Sequence, residues 1–435
     1  MAKTLISSDR ILTPDGIKKA HIIIENDRIH SVNRDESYVH LLNYHGPFDT
    51  KIKTKGYVLP GLINTHTHAA MILFDNLYQH IQGIEKSSGD SWLRKIWPLE
   101  DYLTQDDIYT GSLKAFTEMA KTGTTCVSDH YFYPKAIARA AKDVGIKLVV
   151  TQAILRNGKG TEKDSFKFGK DIETAVQETL EASDGVLVTP TIGAHSIYQL
   201  TEDDLIEIAE ISYNKNIDVH MHLGEPRDYE VLKERKINKT PVEYARELGL
   251  LNERLIAAHS SILTDKDIEL YKDAKVRVAW CPFTKARKSQ GLTRIPELLE
   301  NGITVGLGTD GHISSYTYNM LRQASHGITV INSTYGKKPG DMPLQAQDML
   351  DILTKGGAKV VRKDLGSITY GKKADLIIVN GASLDQIIHG SESSDITDVM
   401  VEGKFIKRNG KMVTVNEDEI DQEVKCITDR LKNHL

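Results

Sequence analysis

The chain has 435 residues, a formal net charge of −5, and 26% charged against 40% hydrophobic residues. That length can bury a large core, and the slightly acidic balance argues against a nucleic-acid partner, which would require a basic face. Only three cysteines occur, Cys126, Cys281 and Cys426, far apart and without C-x-x-C spacing; a reducing, cytoplasmic setting is expected, with no disulfide framework and no zinc ribbon.

The opening segment "MAKTLISSDRILTPDG" is polar where a signal peptide needs an apolar stretch, and no run of about 18 apolar residues occurs later, so no membrane span is expected. "KTLISSDRILT" and "AHIIIENDRIHSVN" resemble hairpin strands bounded by the turn signals "PDG" and "END". From Tyr57 to about Leu365, short apolar strands alternate with amphipathic helical runs. The candidate strands are "YVLPGLINTHTH", "TTCVSDH", "IKLVVTQAIL", "GVLVTPTIGAH", "IDVHMHLGE", "LIAAHS", "KVRVAWCP" and "ITVGLGTD". Eight strands, each followed by a helix, favour a parallel (β/α)8 barrel. A doubly wound open sheet is the other arrangement, but the chain offers no obvious Gly-rich phosphate turn. The tail returns to strands, with "GSITYGKKADLIIVN" and "DVMVEGKFIKRNGKMVTV", where Glu-Gly and Asn-Gly mark tight hairpins. The expected division is residues 1–56 and 366–435 as a small β-structure from both ends, with a terminal helix, around a barrel of residues 57–365.

Several strands end in His, Asp or Glu, and a parallel barrel gathers such ends at one mouth. His66 and His68 lie two apart on a strand and so share a face, which lets both imidazoles reach one metal. Taken alone, such a pair is as often two satisfied polar histidines. His222 ends the fifth strand and Asp310 the eighth; three imidazoles and one carboxylate suit Zn²⁺ or Fe²⁺ and leave a position for water. His220 lies one layer deeper than His222 and reads as structural. Glu225 follows where the chain leaves the fifth strand, placed to move a proton between water and a substrate nitrogen. His259 could orient water, contact substrate or be a satisfied core histidine. His195, ending the fourth strand, is the candidate substrate contact, while Asp129 and His130 read as capping the second.

Taken in order, "PGLINTHTHAAM", "HMHLGE", "AAHSSIL" and "VGLGTDG" resemble the amidohydrolase superfamily, and within it the methylthioadenosine/S-adenosylhomocysteine deaminases and s-triazine hydrolases. The resemblance covers nearly the whole chain, including "GSITYGKKADLIIV". It implies a distorted (β/α)8 barrel with a β-sandwich built from both ends, one metal ion with zinc ahead of iron, and a homo-oligomer. Matched position by position, His66, His68, His222 and Asp310 fall on the metal ligands, Glu225 on the proton shuttle, His259 on the histidine that orients hydroxide, and His195 on a substrate-binding histidine. "IWPLEDYL" resembles a segment whose glutamate grips ribose hydroxyls, which makes Glu100 a substrate contact. Binuclear relatives use a bridging lysine from the fourth strand, and "GVLVTPTIGAH" has none, so one metal is expected.

Three departures bear on the substrate. Where the deaminases commonly carry an arginine after the core of the third strand, this chain has Gln152; a second arginine further on, suited to a carboxylate-bearing substrate, has no counterpart, Arg156 being the only cation nearby; Gln152 and Arg156 are the expected substrate contacts on that wall. "WCPFTKARKSQG" also differs from the usual small-polar "NPxSNxKL" form after the seventh strand. The expected activity is therefore hydrolytic deamination of an aminated heterocycle, an adenosine-type nucleoside first. A guanine- or oxopurine-type or s-triazine ring is the alternative, and a non-catalytic scaffold stands third.

Overall fold

In a computed structural model of the chain, residues 2–33, 40–41, 46–75, 77 and 93–435 are described. Eight parallel strands form the barrel: β1 Leu62–Thr67, β2 Thr124–Tyr131, β3 Lys147–Ile154, β4 Ile192–Ser196, β5 Val219–Leu223, β6 Leu255–His259, β7 Arg277–Trp280 and β8 Thr304–Leu307. Their order around the sheet follows the chain, and β2, β3, β5 and β6 are buried at every position. Strands covered on both faces read as continuous apolar runs for this reason.

The helices between them begin where the sequence supplies a cap. Thr104, Thr201, Thr240 and Thr264 each accept a hydrogen bond from the backbone N–H three residues on, and Asp107, Asp204, Glu243 and Asp267 each accept one from the N–H of the cap residue. This reciprocal T-x-x-D/E arrangement satisfies two otherwise orphaned donors and sets the first turn. The helix after β2, Pro134–Val144, ends at Gly145, whose φ of +83° suits a residue without a Cβ.

β8 meets β1 through side chains and single backbone bonds instead of a regular ladder. The Thr65 hydroxyl donates to Leu307 O at 2.9 Å, Asn64 Nδ2 donates to Thr309 Oγ1 at 2.8 Å, and the N–H groups of Thr309 and Asp310 both donate to His66 O at 3.0 Å. That seam locks the strand carrying two histidines against the strand end carrying Asp310.

The chain ends form one mixed sheet, in the spatial order Lys411–Met412, Lys404–Arg408, Ile396–Val401, Leu376–Val379, Tyr57–Pro60, Lys3–Thr13, Gly16–Glu25, Arg28–Asn33, with Thr50–Lys53 also paired to Lys3–Thr13. It has its own apolar core, which includes Ile11, Ile22, Val58, Leu376 and Met400. The stretch from Tyr57 to His68, expected as one strand, is two: Tyr57–Pro60 pairs antiparallel with Leu376–Val379, and Leu62–Thr67 enters the barrel. The break falls at Gly61, where a Cβ would lie 2.1 Å from Thr125 Oγ1. The fourth strand is likewise divided, Val188–Pro190 pairing with β3 before β4 begins.

Beneath the barrel, Lys147 at the start of β3 donates to both oxygens of Asp375 at 2.6 and 2.8 Å, and both side chains are almost fully buried. This ion pair joins the barrel to the end sheet. The last helix, Glu417–Leu431, lies along Gln105–Lys121 through the pairs Lys114–Asp421 and Lys121–Glu417, each 2.6 Å. Among the described residues, no helix is long and apolar enough to cross a membrane.

Candidate metal centre and substrate cavity

The mouth of the barrel collects seven histidines, and their hydrogen bonds determine which nitrogens face the centre. His68 Nδ1 lies 2.6 Å from the carbonyl of His130, and His222 Nδ1 lies 2.7 Å from the carbonyl of His195. A carbonyl only accepts, so both Nδ1 atoms carry the proton and both Nε2 atoms present lone pairs. Those two Nε2 atoms are 3.4 Å apart, and Asp310 Oδ1 is 3.4 Å from His68 Nε2. Two lone pairs and a carboxylate converging this closely repel one another unless a cation lies between them.

His66 completes the group from below. Its Nδ1 is 2.9 Å from His220 Nε2, His220 Nδ1 is 3.2 Å from Ser128 Oγ, and His66 Nε2 is buried without a partner. The structural role read for His220 thus has specific content, since it holds the ring of His66. Ligand atoms of His66, His68 and Asp310 lie within 4.8 Å of one another, as do those of His66, His222 and His259. Burial drives His66, His130, His195, His220 and His259 well below the ordinary imidazole range, and His68 down to about 4. Neutral imidazoles are the form that binds metal. Burial opposes ionisation of Asp310, but His259 and His68 outweigh it and hold the group at about 2. Neutral nitrogens with one carboxylate are a donor set that fits a divalent transition ion.

The strand ends that deliver these groups are bent sharply. His259, Ser260 and Asp310 have φ of +72°, +49° and +63°, a left-handed region that residues other than glycine seldom occupy. The N–H of Gly311 donates to Asp310 Oδ1 at 2.7 Å, which steadies the carboxylate. Such conformations persist only where the surroundings impose them.

A cavity opens over this centre. Glu225 enters it from Gly224, whose φ is +78°, and caps helix Pro226–Glu234; its own N–H donates to Asp228 Oδ2 at 3.1 Å. Glu225 Oε1 lies 3.9 Å from His259 Nε2 and accepts a hydrogen bond from the ammonium of Lys285. Burial raises its pKa, but Lys285 and His222 more than compensate and the net shift is downward. Glu100 lines the same cavity from helix Leu93–Glu100; Tyr131 OH donates to its Oε1 at 2.8 Å and its Oε2 is buried without a partner. Burial pushes Glu100 up to about 7, against the pull of Lys167. His195 also lines the cavity, its Nδ1 2.9 Å from Ser196 Oγ.

Two expected substrate contacts lie elsewhere. Gln152 alternates with cavity-lining Ala153 and so faces outward; its Oε1 accepts from the N–H of Tyr133 at 2.9 Å. Arg156 is held by Asp204 through Nε and Nη2 at 2.6 and 2.8 Å, and it stacks over Phe166. Neither lines the cavity. Asp129 lies within β2 and accepts from the N–H of Ala69, beyond the end of β1, at 2.8 Å. His130 instead lines the cavity with both ring nitrogens unpartnered. Lys285 and Lys288 complete the opposite wall. Sequence reasoning missed both; the only signal was the unusual "TKARK" after β7.

Fold and centre together define a barrel hydrolase built around a His/Asp metal site. The model of the amidohydrolase family matches residues 57–406, and the chain belongs to that family. It is 30% identical to the 5'-deoxyadenosine deaminase of Methanopyrus kandleri, over 97% of this chain and 96% of that protein. It is also 30% identical to a 5-methylthioadenosine/S-adenosylhomocysteine deaminase of Thermodesulfovibrio yellowstonii along the full length of both. A zinc-bound adenosine deaminase structure from Xanthomonas campestris superposes with a TM-score of 0.87 at 22% identity, covering 99% of each chain. The zinc complex of an atrazine chlorohydrolase from Arthrobacter aurescens TC1 gives 0.86 at 23% identity, over 98% of this chain and 100% of that one. At those identities the two structures speak to the fold.

Proposed function

We propose that this protein is an aminohydrolase dependent on one divalent metal ion, zinc ahead of iron, which removes the exocyclic amino group of an aminated heterocycle as ammonia. An adenosine-type nucleoside is the first candidate, in keeping with the names of the full-length relatives. The observation that carries the reading is the pair of imidazoles, His68 and His222, whose tautomers are set by backbone carbonyls so that both lone pairs meet near Asp310, with Glu225 in the same cavity.

His66, His68, His222 and Asp310 would hold the ion, which when bound would lower the pKa of a water toward about 7. Glu225 carries one proton of the attacking water to the ring nitrogen beside the attacked carbon. Asp310 takes the second and returns it to the departing amine. His259, 3.9 Å from Glu225, orients the attacking oxygen. Glu100 accepts hydrogen bonds from the ribose hydroxyls, and His195 contacts the ring. Arg156 is already committed to Asp204, so among the described residues the cavity offers no arginine fork for a substrate carboxylate. Carboxylate-free nucleosides should therefore be turned over in preference to S-adenosylhomocysteine.

Metal analysis of the purified protein, followed by an ammonia-release screen over adenosine, 5'-deoxyadenosine, 5'-methylthioadenosine, S-adenosylhomocysteine, guanine and an aminated triazine, tests the reading. About one ion per chain and ammonia from at least one ring are expected. A metal-loaded protein that releases ammonia from none of them would overturn it.

A further inference from the structure

The turn that carries Glu100 is held from behind by a buried lysine that no step of the proposed reaction uses. Lys167 is not among the groups lining the substrate cavity, and its side chain is only 5% exposed. Its ammonium donates to the carbonyl of Trp97 at 3.0 Å and to Oδ1 of Asp101 at 2.6 Å. Those two bonds bracket Glu100. Trp97 lies in the last turn of helix Leu93–Glu100, where the helix dipole favours a cation. The same turn presents Trp97 edge-on to the ring of His195, with 6.2 Å between centroids.

Lys167 is itself fixed from the barrel. Its N–H donates to the carbonyl of cavity-lining Leu155, just past β3, at 2.9 Å. The next residue, Phe168, has a φ of +55°, in the left-handed region, and its ring packs on that of cavity-lining Phe132 with centroids 4.8 Å apart. A bulky residue keeps that conformation only where its surroundings impose it. The end of β3 thus reaches Glu100 through a continuous link, from Leu155 to Lys167 to the turn Trp97–Asp101. Lys167 also sets a positive charge behind a buried carboxylate, and it pulls Glu100 down against the larger upward push of burial. Tyr131 on β2 acts in the same direction and Asp101 against it, while His130 and His195, which line the same cavity, are kept neutral by burial.

Resting on the aminohydrolase reading and on the place of Glu100 in it, we propose that Lys167 is a positioning residue for the ribose end of the substrate. From behind the wall it fixes the turn that presents Glu100 and supplies the positive charge that keeps this carboxylate an acceptor of two hydroxyls. The preference for ribonucleosides over 2',3'-dideoxynucleosides near neutral pH then depends on a side chain that touches neither substrate nor metal centre.

The test measures kcat and KM against pH for adenosine and 2',3'-dideoxyadenosine in the wild type and in Lys167→Met, Lys167→Gln and Lys167→Arg, with metal content followed throughout. In the wild type the adenosine KM should fall as pH rises through about 7. In Lys167→Met that fall should move to higher pH, because burial is then less opposed. Near neutral pH the adenosine KM should rise about ten-fold, the loss expected for a hydrogen bond to a charged group. The dideoxynucleoside KM, kcat and metal content should stay as they were, and Lys167→Arg should restore most of the wild-type profile. An unshifted adenosine profile in Lys167→Met, or an equal rise in KM for both nucleosides, would overturn the inference and leave deamination standing. Turnover confined to free bases, which bring no hydroxyls to Glu100, would do the same. Release of ammonia from no heterocycle would remove the aminohydrolase reading, and this inference with it. Should the Met variant fail to fold, Lys167→Gln decides the matter: it keeps a donor for the Trp97 carbonyl, loses the charge, and must still shift the profile upward.

Discussion

His220 and His66 are joined nitrogen to nitrogen at 2.9 Å, and through that bond a histidine that faces no substrate controls one that faces the metal centre. Ser128 continues the chain at 3.2 Å, so a hydroxyl on β2, a ring on β5 and a ring on β1 are hydrogen-bonded in series, and His66 Nε2 presents a lone pair when His66 Nδ1 donates to His220 and His220 Nδ1 to Ser128. The His66–His220 bond lies wholly within the barrel, where water cannot substitute for a missing member.

Replacing His220 with Phe should keep the fold and weaken metal binding by 10- to 100-fold, the usual effect of removing a partner that orients a ligand. Competition against a chromophoric chelator measures it. Unaltered affinity would mean that His66 needs no such support.

Glu225→Gln should bind metal as well as the wild type and lose about 10²- to 10⁴-fold in kcat, the range for removing a positioned acid–base group. Single-turnover ammonia release on metal-loaded protein is the measurement. Near-normal turnover would show that the proton travels by another route.

Glu100 should impose a pH dependence on nucleoside binding. Burial raises its carboxyl to about 7, so it is neutral below that pH and charged above it. Only the charged form presents two acceptor oxygens to a pair of hydroxyls. KM for a ribonucleoside should therefore fall as pH rises through about 7, whereas a 2',3'-dideoxy substrate should show no such fall. Parallel KM profiles for the two would sink the ribose role.

Lys147→Met should destabilise the protein by about 3–5 kcal/mol, because it leaves Asp375 charged and buried. Adding Asp375→Leu should recover most of that loss, since an apolar pair can replace a buried ion pair at little net cost. Chemical denaturation of the two variants decides it; a double variant no more stable than the single would show that the pair is needed for joining the barrel to the end sheet.

The barrel could be read from the chain because its causes are local. Alternating apolar strands and T-x-x-D/E caps each reflect hydrogen bonding within a few residues, and the spacing of His66 and His68 places both on one face by strand geometry alone. His222 and Asp310 were legible as strand-end groups, and the structure brings them to within reach of the same point. Gln152 was expected on that wall only because it stands where related chains carry an arginine, and a match of position does not say that the shorter amide side chain faces the cavity; here it bonds the N–H of Tyr133 instead. Arg156 was misplaced for a different reason: its partner, Asp204, lies 48 residues away, and no local pattern announces such a pair.

What the sequence by itself determined was the set of elements and the residue types at the ends of the strands. Only the tertiary structure decided which nitrogens of those histidines carry protons, since the acceptors are carbonyls on neighbouring strands 27 and 62 residues distant. It also decided that Lys285 sits against Glu225, 60 residues away, on the wall of the cavity. The reason is physical: strand and helix formation respond to neighbours along the chain, whereas tautomers, ion pairs and cavity walls are properties of groups that meet only when the barrel closes.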